Sequence, residues 1–211
     1  MRKRSADCIA INMIYLRAAG LHLRLSAFFD SSHSQRYWED LLGLWSATTS
    51  FLESTLNVET SAGSVLVYVS NYILQMIIAA GFTLLKLLNS FFASHIDLEY
   101  GKSLFNRTIW AIRTISVTPN DLPSRLAEVL TQLWRGGGGG SRADVNGNGT
   151  VDSSLQLKVR CRMSVSHVFD AVWRWREDYQ AKGRGDLDCK LPLSPHHCHR
   201  NATLMRHDTK L

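Results

Sequence analysis

One segment in the second half of the chain has the ligand spacing that begins a calcium-binding loop. Residues 144–152 place side-chain oxygens at loop positions 1, 3 and 5, the turn glycine at position 6 and an apolar residue at position 8. Position 12 requires a bidentate glutamate, but Leu155 stands there. The glycine run that precedes the segment cannot form the entering helix. The sequence therefore favours a polar linker with accidental Asn-Gly spacing over a calcium site.

A second group of residues with metal-binding side chains lies near the C-terminus. Its members are Cys189, His196, His197, Cys198 and His199. A structural zinc site needs four ligands on a short frame such as paired C-x₂-C units. The spacing from Cys189 to Cys198 is wide and two prolines intervene. We expect adventitious metal affinity here and no dedicated site, so no cofactor is predicted for this chain.

The sequence contains no nucleophile elbow, phosphate-binding loop or dinucleotide-binding fingerprint. His22, His33, His95 and His167 are isolated in the sequence, and each is predicted to be a surface or interhelical residue. His95 and Asp97 could form an acid–base pair, but neither a nucleophile nor a pocket accompanies them. We therefore predict no enzymatic activity and no catalytic, cofactor-binding or metal-binding residues.

The string from Val172 to Arg176 alternates apolar or aromatic residues with arginines. Such a string could stack on nucleotides. Its helical spacing favours a packed aromatic face with solvated arginines. The net charge of +6 gives nucleic-acid binding no further support, because residues 1–135 hold 12 basic and 10 acidic side chains and residues 136–211 hold 12 and 8. Sequence-independent phosphate binding needs a concentrated basic face.

Apolar periodicity predicts five helical segments before residue 136. The first covers about 5–29, and the second follows the helix-start signal at 30–32. The third runs over about 62–93, and the fourth and fifth flank a proline-containing break at 118–123, where Asp121 or Ser124 can cap the fifth helix. The predicted core stripes are Trp38, Leu41, Leu42, Trp45, Leu52 and Leu56 in the second segment, Leu104, Phe105, Thr108, Ile109, Ile112 and Ile115 in the fourth, and Leu126, Val129, Leu130, Leu133 and Trp134 in the fifth.

The third segment is apolar enough to raise the alternative of a membrane-associated protein that spans a bilayer at about 62–93. A span needs about 20 mainly apolar residues. Here the longest run without charged or amide side chains is Met76–Leu85, closed by Gln75 and Lys86. Polar groups in lipid are costly unless paired, and a central helix of a bundle is apolar all round. The pattern favours a core helix.

Five consecutive glycines start at Gly136 and predict a flexible linker. The composition predicts an irregular multi-helix all-α domain over 1–135, a glycine-rich linker over 136–154, a further amphipathic helix within 155–182 and a disordered tail over 183–211. The stripe of that further helix comprises Val165, Val168, Phe169, Val172, Trp173 and Arg176. The sequence leaves open whether this helix docks on the core or serves as a separate interaction segment.

Several strings between about residues 15 and 180 together resemble a known family. The strings are Leu21–Asp30, Trp45–Leu52, Asn71–Met76, Gly81–Leu88, Leu104–Ile109, Asn120–Leu130, Val168–Asp170 and Trp173–Arg176. By their order and number, this region is similar to the regulatory region of fungal zinc-binuclear-cluster transcription factors. The subgroup it resembles most is that of the leucine-biosynthesis regulator and its weak-acid-response relatives.

The resemblance implies an all-helical middle-homology region that restrains an activator and relays a metabolite or stress signal in the nucleus. Its implied partners are the transcription machinery or co-regulators. The family's DNA-binding element holds two zinc ions on six cysteines, and this chain has only Cys8 in its first 160 residues. We therefore expect a C-terminal regulatory portion that would reach DNA only through a missing domain. A small anionic metabolite is the implied effector, for which Arg107, Arg113 and Arg125 are candidate contacts.

Overall fold

The computed structural model describes residues 2–29, 36–62, 66, 70–137, 155–157 and 165–181. Within these ranges the chain forms six α-helices and two short 3₁₀ segments and has no strand, so the all-α prediction is confirmed. The helices are α1 (Arg2–Arg24), α2 (Tyr37–Ala62), α3 (Asn71–Leu88), α4 (Leu98–Ile115), α5 (Leu122–Gly137) and α6 (Ser166–Ala181). The 3₁₀ segments are Leu25–Phe29 and Phe91–His95. The described residues up to Trp175 belong to one compact unit, which ends within α6.

Helices α1 and α2 pack against each other, with Arg17 beside Ser50 and Arg24 beside Gly43. The inner face of α1 presents Ile14, Ala18 and Leu21, all buried, and Nη1 of Arg17 donates a hydrogen bond to the carbonyl of Ser50 on α2 at 3.1 Å. The 3₁₀ segment that follows α1 adds Phe28, only 1% exposed, to the same core. The alternation of Leu21, Leu23 and Leu25 is therefore helical packing rather than a strand.

The predicted core stripe of α2 is partly wrong. Leu41, Leu52 and Leu56 are buried, but Trp38 is 40% exposed and Leu42 is 48% exposed. The buried face is instead formed by Tyr37, Leu41, Leu44, Thr48, Phe51, Leu52, Thr55 and Leu56. Trp38 lies at the rim because its indole packs on the second 3₁₀ segment, with ring centroids 5.6 Å from Phe91 and 4.5 Å from His95.

Helix α3 occupies the centre of the bundle and contacts α1, α2, α4 and α5. Ser70 caps it by accepting a hydrogen bond from the backbone N–H of Ile73 at 3.4 Å. The apolar region predicted as one segment over 62–93 therefore contains a helix that begins at Asn71 and a separate 3₁₀ segment. Asn71–Leu88 is long and apolar enough to cross a membrane, yet 78% of that window is buried inside the protein. Asn71–Leu88 is therefore a buried central helix of the described fold.

Helices α4 and α5 form an antiparallel hairpin against α3. All six residues predicted as the α4 stripe are buried. On α5, Val129 and Leu130 are buried, while Leu126, Leu133 and Trp134 are partly buried and pack on the core. Gly101 permits the close approach of α4 to its neighbours, since an added Cβ would lie 2.6 Å from Leu88 Cδ2 and 2.9 Å from Trp45 Cη2.

The turn between α4 and α5 is organised by Asp121, which resolves the choice between two predicted caps. Its carboxylate accepts hydrogen bonds from the backbone N–H groups of Ser124 at 3.0 Å and Val117 at 2.9 Å and from the Ser116 hydroxyl at 2.9 Å. Burial alone would raise the pKa of Asp121, but these hydrogen bonds outweigh it and the pKa is lowered. Asp121 is therefore the cap of α5, and Ser124 donates to it.

The predicted linker and tail lie almost entirely outside the described residues. The exceptions are Gly136 and Gly137, which continue α5 for two residues beyond its predicted end, a common displacement at helix termini. Of the last predicted helix, Val168 is buried and Val172 partly buried, but Phe169 is 48% and Trp173 51% exposed. The predicted stripe is wrong at those two positions because α6 turns His167, Asp170 and Ala171 inward instead.

Candidate functional site

A cluster of ionisable and polar side chains lies buried between α3 and α6. Helix α3 supplies Thr83 and Lys86, three residues apart, and α6 supplies His167, Asp170 and Arg174 at spacings of three and four. Residues at these spacings share one face of a helix. His167 is 1% exposed and Asp170 is fully buried. We call these five residues the α3–α6 polar cluster.

The centre of the cluster is an ion pair between Lys86 and Asp170. Nζ of Lys86 lies 2.9 Å from Oδ2 of Asp170, with side-chain exposures of 8% and 0%. Burial lowers the pKa of Lys86, and the carboxylate of Asp170 raises it by a smaller amount. The lysine ammonium also lies 6.0 Å from the centroid of the Phe28 ring, within the range of a cation–π contact. The carboxylate of Asp170 therefore compensates the buried charge of Lys86.

Arg174 is a second cation beside the same carboxylate. Its Nε lies 3.0 Å from Oδ2 of Asp170 but makes no well-aligned hydrogen bond, so the attraction is that of an ion pair. Its Nη2 donates to the backbone carbonyl of Gln156 at 2.5 Å. Gln156 lies between the buried residues Leu155 and Leu157. Arg174 therefore connects α6 to the short segment 155–157 as well as to α3 through Asp170.

His167 is the neutral member of the cluster. Its Nε2 lies 2.9 Å from the carbonyl oxygen of Ala79 and 3.3 Å from Oγ1 of Thr83. Because a carbonyl oxygen only accepts, Nε2 carries the proton. The ring also stacks on Phe28, with centroids 5.3 Å apart. Burial is the largest effect on this group and lowers the pKa of His167 to about 4.

This arrangement of charges and hydrogen bonds can hold α6 against α3. Asp170 is shared by two cations, and the nearby imidazole is neutral and hydrogen-bonded to the backbone of α3. A buried ion pair contributes little net stability, but removal of one partner leaves an uncompensated charge that costs about 3–5 kcal/mol. The cluster therefore ties the docking of α6 to the correct pairing of Lys86 and Asp170.

The three arginines named as candidate effector contacts lie in different surroundings within the described part of the chain. Arg107 is exposed on α4 and donates to Oδ1 of Asn57 at 3.2 Å. Arg113 is exposed on α4 and pairs with Glu128 of α5 at 3.5 Å. Arg125 is half-buried on α5, and its Nε is buried without a hydrogen-bond partner.

The histidines divide between surface and interhelical positions. His22 is partly buried and stacks on Tyr72, and His95 is exposed beside Trp38. The carboxylate of Asp97 caps α4, where its Oδ1 accepts from the backbone N–H of Tyr100 at 2.9 Å. His33 lies outside the described residues. The described residues hold no group of three or more metal-binding side chains.

Several other predicted features also fall outside the described part of the chain. They are the calcium-like segment 144–152 and the cysteines and histidines of 189–199. For the aromatic–basic string, one element of the prediction is wrong: Arg174 is held in the polar cluster rather than solvated. Trp175 packs on the core, whereas Trp173 is half exposed.

Sequence reasoning missed the pairing of Lys86 with Asp170. A signal was present, because each is a lone charge within an otherwise apolar stretch of its helix. Charged side chains are almost never fully buried unless paired. Two such charges of opposite sign on two apolar faces would have indicated that the faces meet.

Comparisons with known proteins give no relative for this chain: no family model, curated protein or solved structure matches it significantly.

Proposed function

We propose that this chain is a helical regulatory module of a fungal-type transcription factor, with no enzymatic activity of its own. It would act in the nucleus with the transcription machinery or co-regulators as partners and would reach DNA only through a separate zinc-cluster domain. A small anionic metabolite is the proposed effector. The resemblance of its ordered strings to that family supports the proposal, and the all-α fold agrees with it.

The observation that carries the proposal is that the α3–α6 polar cluster joins three of the resembling strings. Lys86 belongs to the string Gly81–Leu88, Asp170 to Val168–Asp170 and Arg174 to Trp173–Arg176. Strings that lie more than 80 residues apart in sequence thus supply the two sides of one buried ion pair. A contact between α3 and α6 requires matching residues in distant parts of the sequence, and the resembling strings are distributed in that way.

In the proposed mechanism, α6 is the element whose docking differs between restrained and released states. A ligand or partner shifts such an equilibrium only by its difference in affinity for the two states. The buried ion pair makes the docked state sensitive to small displacements, because separation of Lys86 from Asp170 leaves the buried lysine without its counter-charge. An effector that moves α3 or α6 would therefore release the helix.

The proposal can be tested with the full chain fused between a heterologous DNA-binding domain and an activation domain. A restraining module is expected to lower reporter expression several-fold relative to a fusion without it. Asp170→Asn should relieve this restraint, since it leaves Lys86 without its counter-charge. The double variant Lys86→Met with Asp170→Leu should restore most of it, because it removes the buried lysine together with its counter-charge. It leaves only Arg174, which is 28% exposed and donates to the carbonyl of Gln156.

The matched control is Lys102→Gln, which removes an exposed i,i+3 pair with Glu99 on α4. It should leave the reporter level unchanged, because exposed ion pairs contribute about 0–1 kcal/mol. Circular dichroism and equal protein levels establish that each variant is folded. A wild-type chain that does not alter reporter output would contradict the proposed function.

A further inference from the structure

Helix α1 carries a second apolar row on the side opposite its core face. The row consists of Ile9, Met13, Leu16 and Leu23, which are 61%, 40%, 65% and 76% exposed, with Gly20 completing it. Its spacings of four, three, four and three residues are those of the seam between two packed helices. The inner row of Ile14, Ala18, Leu21 and Leu25 is separate and buried. The described fold therefore leaves α1 with a helix-packing face that nothing covers.

Gly20 is unexplained by the packing within the chain. A Cβ added there would meet nothing within 4 Å, whereas one added at Gly43 would overlap the guanidinium of Arg24. Glycine inside a helix costs about 0.5–1 kcal/mol relative to alanine. A small residue in the middle of an exposed apolar row allows the backbone of another helix to approach closely. The position is therefore suited to a helix crossing.

A cavity adjoins the row at its C-terminal end. It measures about 340 Å³ and is lined by Gly20, Leu23, Arg24, Ser26, Ala27 and Asp40. Two of these residues, Gly20 and Leu23, belong to the exposed row itself. A helix lying along the row could insert one large side chain into the cavity, in the manner of an anchor residue.

The described charged side chains of α1 are Arg17 and Arg24, both basic. The sequence of α1 has five Arg or Lys residues and a single acidic residue, Asp7. Arg17 and Arg24 lie on the side of the row that faces α2, since Arg17 bonds to Ser50 and Arg24 contacts Gly43. They are seven residues apart, about 10 Å along the helix. Asp40 is the one acidic side chain lining the cavity.

These observations favour one kind of partner for the exposed face of α1 over two others. A second copy of α1 would bring basic side chains against basic side chains, which is unfavourable. A bilayer surface would use the basic charge but would gain nothing from a close backbone approach at Gly20 or from the cavity. An acidic amphipathic helix satisfies all three features: the apolar row, the small residue with its cavity, and the positive charge.

We propose that the exposed face of α1 binds an amphipathic helix of a partner protein, crossing at Gly20. The partner helix carries apolar residues at spacings of three and four and acidic residues two turns apart that pair with Arg17 and Arg24. This interaction surface is additional to the proposed regulatory role of α6 and does not depend on it.

The probe is a fluorescein-labelled synthetic helix of 18 residues, about five turns, with leucine along one face and glutamate beside it. A second peptide has lysine in place of every glutamate. Fluorescence anisotropy with the full chain should show binding of the glutamate peptide and at least about tenfold weaker binding of the lysine peptide, since like charges across an interface cost several kcal/mol. Equal binding of the two peptides, or none by the glutamate peptide, overturns the proposal.

Variants of the chain locate the binding site. Gly20→Leu, for which the fold leaves open space, and the double variant Leu16→Glu with Leu23→Glu should each weaken binding at least about tenfold, a loss of about 1.4 kcal/mol. Trp110→Glu is the matched control, because Trp110 is 73% exposed on α4, away from the row. Unchanged binding by the Gly20→Leu variant would show that the partner helix does not cross α1 at Gly20.

Two further measurements distinguish the other occupants. Light scattering reports whether the chain dimerises, and co-sedimentation with phosphatidylserine vesicles reports membrane binding. The proposal expects a monomer that stays in the supernatant. The chain could instead dimerise or bind vesicles, and the Leu16→Glu, Leu23→Glu variant could lose that dimer or that binding. The exposed face of α1 would then belong to a second copy or to a membrane, and the proposal would be overturned.

Discussion

The α4–α5 hairpin and the contact between α3 and α6 are held by different kinds of interaction. We call the second contact, which contains the α3–α6 polar cluster, the α3–α6 joint. In the hairpin, apolar stripes face the core and the ion pair lies at the surface: Arg113 and Glu128 are 3.5 Å apart and about half exposed. In the joint, Lys86 and Asp170 are 2.9 Å apart and almost completely buried. The hairpin keeps its ion pair in water, whereas the joint places its ion pair inside the protein.

This difference determines how each region responds to a change in charge. A surface pair is screened by water and contributes about 0–1 kcal/mol. A buried pair is costly to separate, because each charge has lost its hydration. Two helix contacts in one bundle therefore differ in their response to charge: the hairpin tolerates the loss of its ion pair, whereas the contact between α3 and α6 does not.

The largest expected effect comes from Asp170→Asn. It removes the counter-charge of both Lys86 and Arg174, so we expect the free energy of unfolding to fall by about 3–5 kcal/mol. Arg113→Gln in the hairpin should lower it by no more than about 1 kcal/mol. Urea unfolding monitored by circular dichroism measures both values. Equal losses in the two variants would abolish the distinction between hairpin and joint.

The second effect is a pH dependence that arises from His167. The pKa of His167 is about 4 in the folded chain, below the usual imidazole value of 6.5, because burial disfavours the charged ring. Above pH 6.5 the imidazole is neutral in both states and its contribution to stability is complete. As the pH falls from 6.5 to 4 the unfolded chain takes up a proton that the folded chain does not, and stability falls by about 3 kcal/mol.

The matched variant for this prediction is His167→Gln, whose amide N–H can still donate to the carbonyl of Ala79. Its free energy of unfolding should fall less steeply with acidity than that of the wild type over the same interval. Chemical unfolding at several pH values between 7 and 4 gives both curves. Parallel curves would show that His167 is not the titrating group.

The sequence predicted the hairpin better than the joint, for physical reasons. The α4 stripe has one apolar face at regular helical spacing, so periodicity identified all six of its buried residues. The break at 118–123 contained the Asp121 cap. In α2 the same reasoning failed at Trp38, because the rings that hold it come from residues 91–95, which periodicity within one helix does not reveal.

The candidate site was harder to predict because it depends on contacts between distant parts of the chain. Periodicity indicated that Val168 faces the core, but it also placed Phe169 and Trp173 there, and both are about half exposed. The choice between these faces is made by Asp170, which turns inward to meet Lys86 on α3. A rule that assigns charged residues to the surface cannot predict that choice without its partner.

The central claim is that α6 is docked on α3 through the Lys86–Asp170 pair, and amide hydrogen exchange tests it most directly. In the wild-type chain the α6 amides from Val168 to Trp175 should be protected, and in Asp170→Asn they should exchange faster while α4 and α5 keep their protection. The contrary result is exchange of α6 in the wild type at the rate of an unfolded peptide, or protection that Asp170→Asn leaves unchanged. Either outcome would show that the buried pair does not hold the helix in place.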